Sequence, residues 1–270
     1  MRFITILFTL SLVSALSHTA KGQGFSLSPS RLFFTGNPGE TVTQTITFGN
    51  ATKNDITYVT RIQDFDRDST GTKIYYDPNT RPSSNASWIS FSTSSIVVPA
   101  GGNKQVIVSL NIPAGSKKLV NSMIFFTQVN EQTVARNQVK KIGINVLIEM
   151  GVQVYYTPNG LSAGDFEYLA FNDLGIYDDG RAKSRRLALK VHNNGEINKD
   201  AFVRFELTNK ETGEEIKIKP ETLAMLPGAT QWIYVDLPLD LKGNYLVVAL
   251  LDAGSTYDLK VAEKEITYRP

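Results

Sequence analysis

Few side chains in this sequence have both the type and the spacing for chemistry. Its two histidines are His18, near the N-terminus, and His192, which precedes the turn sequence Asn193-Asn194-Gly195. A general base needs a positioned partner, and no Gly-x-Ser-x-Gly elbow presents a serine to activate. His192 therefore reads as a turn-flanking residue, and no catalytic residue is assigned. Asp66-x-Asp68-x-Thr70-Gly71, with Asp77 twelfth in the run, has some letters of a calcium loop. An EF-hand needs helices on both sides, whereas these flanks alternate like strands. A hairpin turn rich in Asp, Ser and Gly explains the same residues, so neither metal nor cofactor is assigned. Arg181, Lys183, Arg185 and Arg186 lie beside Asp178 and Asp179 and read as a solvated, self-compensated loop. No phosphate-binding glycine loop suggests nucleotide use.

The remaining chemistry belongs to the main chain. Between Lys140 and Pro158, Ile142, Ile144, Val146, Ile148, Met150, Val152, Val154 and Tyr156 occupy alternate positions. Period two places all of them on one face of a β-strand, and the run far exceeds the usual strand of about five or six residues. A small domain cannot easily cover such a stripe with its own core. No proline interrupts it and few charges sit on its apolar face, so an edge strand here invites pairing with a foreign strand. Lys140, Lys141 and Glu149 flank the stripe and limit aggregation. The expectation is that 142–148 is exposed or covered by a second copy, as a self-capped homodimer. Tyr155 and Tyr156 could form a glycan platform, but aromatics in strands are more often core.

Residues 24–157 read as short strands: Phe25–Leu27, Arg31–Phe34, Thr41–Phe48, Ile56–Phe65, Lys73–Tyr76, Trp88–Phe91, Ser95–Val98, Gln105–Ile112 and Ser122–Val129, then the long one. Turn sequences such as Asn37-Pro38-Gly39 and Pro99–Gly102 separate them. Thr157-Pro158-Asn159-Gly160 is the best boundary. A polar stretch of weak pattern, Asp165–Lys183, follows it. Further strands are expected at Arg186–His192, Ala201–Thr208, Glu215–Ile218, Thr222–Leu226, Thr230–Leu237, Gly243–Asp252, Thr256–Lys260 and Glu263–Tyr268. The fold class is all-β, with two immunoglobulin-like β-sandwich domains at 23–158 and 159–270.

Residues 1–22 read as a cleavable signal peptide: Arg2, the apolar run Ile4–Leu16, and Ala20-Lys21-Gly22 before Gln23. No cysteine is present, which rules out disulfides, thiolate metal sites and a lipidated cysteine anchor. Loss of Arg2 and Lys21 with that segment takes the formal charge from +2 to zero, so nothing points to nucleic acid or an anionic membrane.

The first domain resembles the N-terminal domain of periplasmic pilus-assembly chaperones of the PapD-like superfamily. The resemblance rests on Leu27-Ser28-Pro29-Ser30-Arg31-Leu32-Phe33-Phe34 as first strand and the corner Ile96-Val97-Val98-Pro99-Ala100-Gly101. It also rests on Ser122-Met123-Ile124-Phe125-Phe126 and on the ending Val152-Gln153-Val154-Tyr155-Tyr156-Thr157-Pro158. It covers residues 25–158 and extends to 160–270 in architecture only. It implies a non-enzymatic periplasmic chaperone that completes subunits lacking a strand, pilin-like or other surface proteins, by β-augmentation, together with outer-membrane assembly machinery. The donor side chains would be Ile144, Val146 and Ile148. A client carboxylate would be anchored by Arg31 and by the position of Gln153, where the family carries lysine. Glutamine can donate a hydrogen bond but brings no charge. Surface proteins of Gram-positive bacteria that accompany cell-wall-binding proteins pair similar domains but usually continue into a membrane span; the ending Thr267-Tyr268-Arg269-Pro270 favours the periplasmic reading. The alternative function is a cell-surface adhesion or structural β-sandwich module.

Overall fold

The computed structural model describes residues 24–93, 95–129 and 147–268. The expected signal peptide, Ile144 and Val146 lie outside the described residues. The chain is all-β and forms two immunoglobulin-like sandwiches. The first contains β1 (Phe25–Ser28), β2 (Arg31–Phe34), β3 (Thr41–Asn50), β4 (Ile56–Arg67), β5 (Lys73–Tyr76), β6 (Ile89–Phe91), β7 (Ser95–Val98), β8 (Asn103–Asn111), β9 (Val120–Val129) and β10 (Glu149–Tyr156). One sheet has the order β1-β3-β8-β6; the other runs β2-β10-β9-β4-β5, with β7 also on β4. The first stretch of chain thus changes sheets between β1 and β2. Pro29, which has no N–H to give a ladder, sits at that crossing.

The second sandwich contains β11 (Phe166–Asp178), β12 (Lys183–Asn193), β13 (Lys199–Asn209), β14 (Glu215–Lys217), β15 (Glu221–Met225), β16 (Thr230–Leu237), β17 (Gly243–Asp252) and β18 (Lys260–Tyr268). Its sheets are β11-β12-β16 and β14-β13-β17-β18, with β15 on β13. Each sandwich has its own apolar core. Ile46, Phe48, Val108, Ile124, Phe126, Val152, Val154 and Tyr156 belong to the first. Leu189, Val203, Phe205, Leu207, Val235 and Val247 belong to the second. Fully burying each such aliphatic contributes about 1.5–3 kcal/mol. Phe48 meets Phe126 edge-on at 4.9 Å between centroids, and Trp88 meets Tyr156 likewise at 5.7 Å.

Three expectations need correction. Among the described residues, the alternating stretch is strand over Glu149–Tyr156; Leu147 and Ile148 precede it, although Gln128 N donates to Ile148 O at 2.9 Å and prolongs the ladder with β9. Both faces of its C-terminal half are buried, because Gln153 and Tyr155 lie under the second sandwich while Val152, Val154 and Tyr156 fill the core. The polar stretch 165–183 contains the thirteen-residue strand β11. Its register shifts at Tyr168/Ala170 and Asp173/Gly175, and each bulge reverses the inward parity that period-two reading relies on. Finally, Thr256–Lys260 is no strand. Asp252 Oδ1 accepts from Gly254 N at 2.8 Å and Tyr257 N donates to Gly254 O at 3.1 Å, so the turn continues until β18 starts at Lys260.

Candidate functional site

Where the sandwiches meet, the outer face of the β2-β10-β9-β4-β5 sheet is covered rather than wet. Phe65, Leu119, Met123, Phe125 and Tyr155 from the first sandwich pack with Leu226 from the second. Tyr155 stacks on Phe33 at 5.4 Å and meets Phe65 edge-on at 6.0 Å. Burial pushes its phenol pKa up, so it stays a neutral donor, and its hydroxyl gives Gln153 Oε1 a 2.8 Å hydrogen bond. Gly151 lies against Met123: an added Cβ would come within 2.6 Å of Met123 Cε, so the methionine side chain would have to shift.

The β4–β5 turn docks on the second sandwich. Asp68 Oδ1 accepts from Thr70 N at 2.8 Å, Thr70 Oγ1 at 2.7 Å and Thr72 N at 3.0 Å. The candidate calcium letters thus build the hairpin turn. Trp232 N then donates to Ser69 O at 2.7 Å, joining the two sandwiches main chain to main chain. Gly71 has φ +84° and lies against the Gln231 side chain, so this turn favours glycine for its backbone conformation.

Beside this contact is a cleft of about 420 Å³, lined by Arg31, Arg67, Gly71 and Lys73 on one side and by Gln231, Trp232 and Tyr234 on the other. Arg31 and Gln153 are register partners in the parallel β2–β10 pair, so the fold brings the two expected anchor residues together. They do not play equal parts. Gln153 is buried and its Oε1 is occupied, by Tyr155 and by Arg67 Nη2 at 3.3 Å. Arg67 also donates to Gly71 O at 2.7 Å. Burial first, then repulsion from Arg67 and Arg31, pulls the Lys73 ammonium below its ordinary pKa. Arg31 makes an ion pair with Asp200 at the start of β13. Sequence reading missed Arg67, Lys73 and Asp200. The first two sit in the segment read as a hairpin, and only its docking turns them into the cleft.

Other candidates settle elsewhere. His192 is partly buried, with Nδ1 3.1 Å from Ala229 O and 3.2 Å from Thr230 Oγ1. The basic run divides: Arg181 is exposed in the turn and Lys183 lies 3.7 Å from Asp178, as expected, whereas Arg185 and Arg186 on β12 pair with Asp173 and Asp236. Of the donor residues, only Ile148 is described, and it is half-buried.

The edge of β10 is divided. Gln153 N donates to Ser30 O at 3.0 Å and Thr157 N to Phe34 O at 2.9 Å, so β2 covers the strand from Gln153 onward. Residues 149–152 pair with β9 on one side and, among the described residues, with nothing on the other. By strand alternation, the main-chain groups of Glu149 and Gly151 face that unpaired side.

No protein-family model matches the sequence, and no curated protein matches it. Solved structures do match in shape. The YadV chaperone aligns over 90% of this chain and 100% of its own, with TM-score 0.50 and 10% identity. CsuC–CsuE, a chaperone–tip adhesion subunit pre-assembly complex from archaic chaperone-usher Csu pili of Acinetobacter baumannii, matches over 89% of this chain and 98% of that one. Its TM-score is 0.50 and its identity 11%. The fold is that of the PapD-like chaperones. Within the PapD-like fold, the cleft just described lies at the junction of the two sandwiches, and the divided edge of β10 leads into it.

Proposed function

We propose that this protein is a non-enzymatic assembly chaperone of the periplasm, exported by residues 1–22, that holds pilin-like or other surface subunits lacking a strand. Residues 23–158 would form the client-binding domain and 159–270 the second wall of the cleft. The observation that carries this reading is the divided edge of β10. A client strand added there in parallel would lie in line with β2, its C-terminal end arriving beside Arg31 and Gln153. An antiparallel strand would bring an ammonium to the same cations. Charge therefore selects the parallel strand, and main-chain pairing with alternating apolar contacts from Ile144, Val146 and Ile148 gives the grip. Gln153 serves as the acceptor that fixes Arg67, and Arg31 takes the carboxylate with its fork of N–H donors.

A synthetic peptide of alternating Val and Thr tests this, prepared with a free C-terminal carboxylate and as the C-terminal amide. The acid is expected to bind the full chain more tightly than the amide, by roughly ten- to a hundred-fold for a charge-assisted contact. In Arg31→Ala the two peptides should converge while the thermal transition stays in place. Equal binding of acid and amide to both the native chain and Asp200→Asn would sink the anchor. A subunit lacking a strand, co-purified from periplasm and identified by mass spectrometry, would name the client.

A further inference from the structure

We infer that Asp200 is an internal carboxylate that occupies Arg31 in the free protein and is displaced when a ligand carboxylate enters the cleft. The inference rests on the carboxylate-anchor reading and concerns how that anchor is regulated. Three observations carry it. The first is the form of the ion pair. Arg31 gives Asp200 a single contact, Nη1 to Oδ2, and the two side chains are 32% and 52% exposed. Arg186, by contrast, grips Asp236 through both Nε and Nη2, and Arg185 holds Asp173 through Nε and Nη2 in more buried surroundings. An exposed single-contact pair is weak, and among the described residues the rest of the Arg31 fork has no other acceptor.

The second observation is the charge balance. Arg31, Arg67 and Lys73 line the same cleft against one lining carboxylate, Glu221, and Arg67, Lys73 and Glu221 form no ion pair among the described residues. Arg67 spends its donors on two neutral oxygens, of Gly71 and Gln153. With Asp200 on Arg31 and Glu221 in the lining, three cations face two carboxylates, so an entering carboxylate still meets a net positive cleft. The third is position. Asp200 stands on the second sandwich and Arg31 on the first, so exchanging Asp200 for a ligand moves one charge contact from an inter-sandwich bond to the client. Ligand binding and the clasp between the sandwiches then oppose each other, which is the competition that linkage requires of two partners sharing one site.

The same acid and amide peptides, titrated against Asp200→Asn and Asp200→Ala, test the exchange. Both variants should bind the acid about two- to five-fold more tightly than the native chain, the range an exposed ion pair spans, with the amide unchanged. A purely structural role for Asp200 would shift acid and amide equally, and that result overturns the exchange, as does an unchanged or weakened affinity for the acid. If the native chain does not distinguish the peptides but Asp200→Asn prefers the acid, both anchor and exchange stand. If the native chain prefers the acid and the variants add nothing, the anchor stands and the exchange falls. Thermal melts of both variants confirm that the comparison is between folded proteins.

Discussion

A Val154→Asp variant is expected to lose the first sandwich, whereas Ile148→Asp, six residues upstream on the same parity, keeps its fold and loses its client. Val154 is fully buried in the core with Val152 and Tyr156. An unpaired carboxylate there has neither counter-ion nor water. A buried charge without a partner costs about 3–5 kcal/mol, a large part of the roughly 5–15 kcal/mol that holds a domain together. Ile148 precedes β10, is half-buried, and contributes its carbonyl to Gln128 N. A side-chain change leaves that bond intact. The proposed role of Ile148, with Ile144 and Val146, is contact with a client, so an acid there should stop donor pairing. Near-UV circular dichroism with thermal melts reads the fold, and peptide titration reads the grip. Should Ile148→Asp unfold the first sandwich, the residue is core and the donor assignment is wrong. Unaltered melting of Val154→Asp would contradict the described core.

Truncating Tyr155 to alanine should separate the two sandwiches. The ring is buried between Phe33 and Phe65, in the cluster that also takes Leu226, and emptying such a space costs about 3–5 kcal/mol. The loss falls on the junction, so calorimetry of Tyr155→Ala should show two transitions in place of one. It should also release Gln153 Oε1, and with it the brace on Arg67, so preference for the acid peptide should fall. Tyr155→Phe keeps the ring and removes one hydrogen bond, worth about 1 kcal/mol. It should melt once, slightly earlier than the native chain. A single transition for Tyr155→Ala at the native temperature would show that the junction is held by other contacts.

How much of this was legible in the sequence depends on distance along the chain. Arg31–Phe34, Lys73–Tyr76, Ser95–Val98, Thr230–Leu237 and Gly243–Asp252 match their strands end to end, because alternation and turn residues are local signals. Val152, Val154 and Tyr156 share a buried face as their parity predicts. Tyr155 shows where that logic stops. Its parity says outside, and a second sandwich 71 residues on, at Leu226, covers it. β11 was hidden by two bulges that shift its inward face twice. The cleft is further from view still, since Arg31 meets Asp200 across 169 positions and no local pattern encodes a meeting of that kind. The missing lysine at Gln153 was the available hint. It left a charge to be supplied from elsewhere, and Arg67 stands next to it.

The bond from Trp232 N to Ser69 O makes one amide proton a gauge of the hinge. Inside either sandwich, amide exchange with heavy water requires a ladder to open, and its rate reports local or global unfolding. The Trp232 amide is different: its acceptor is on the other body, so it is freed when the two bodies part, with every strand intact. Its protection factor measures how often the hinge opens, on a scale separate from the ladder amides of Ile233 and Val235. A ligand that wedges the sandwiches apart would speed that single proton and leave its neighbours slow, while one that clamps them would do the reverse.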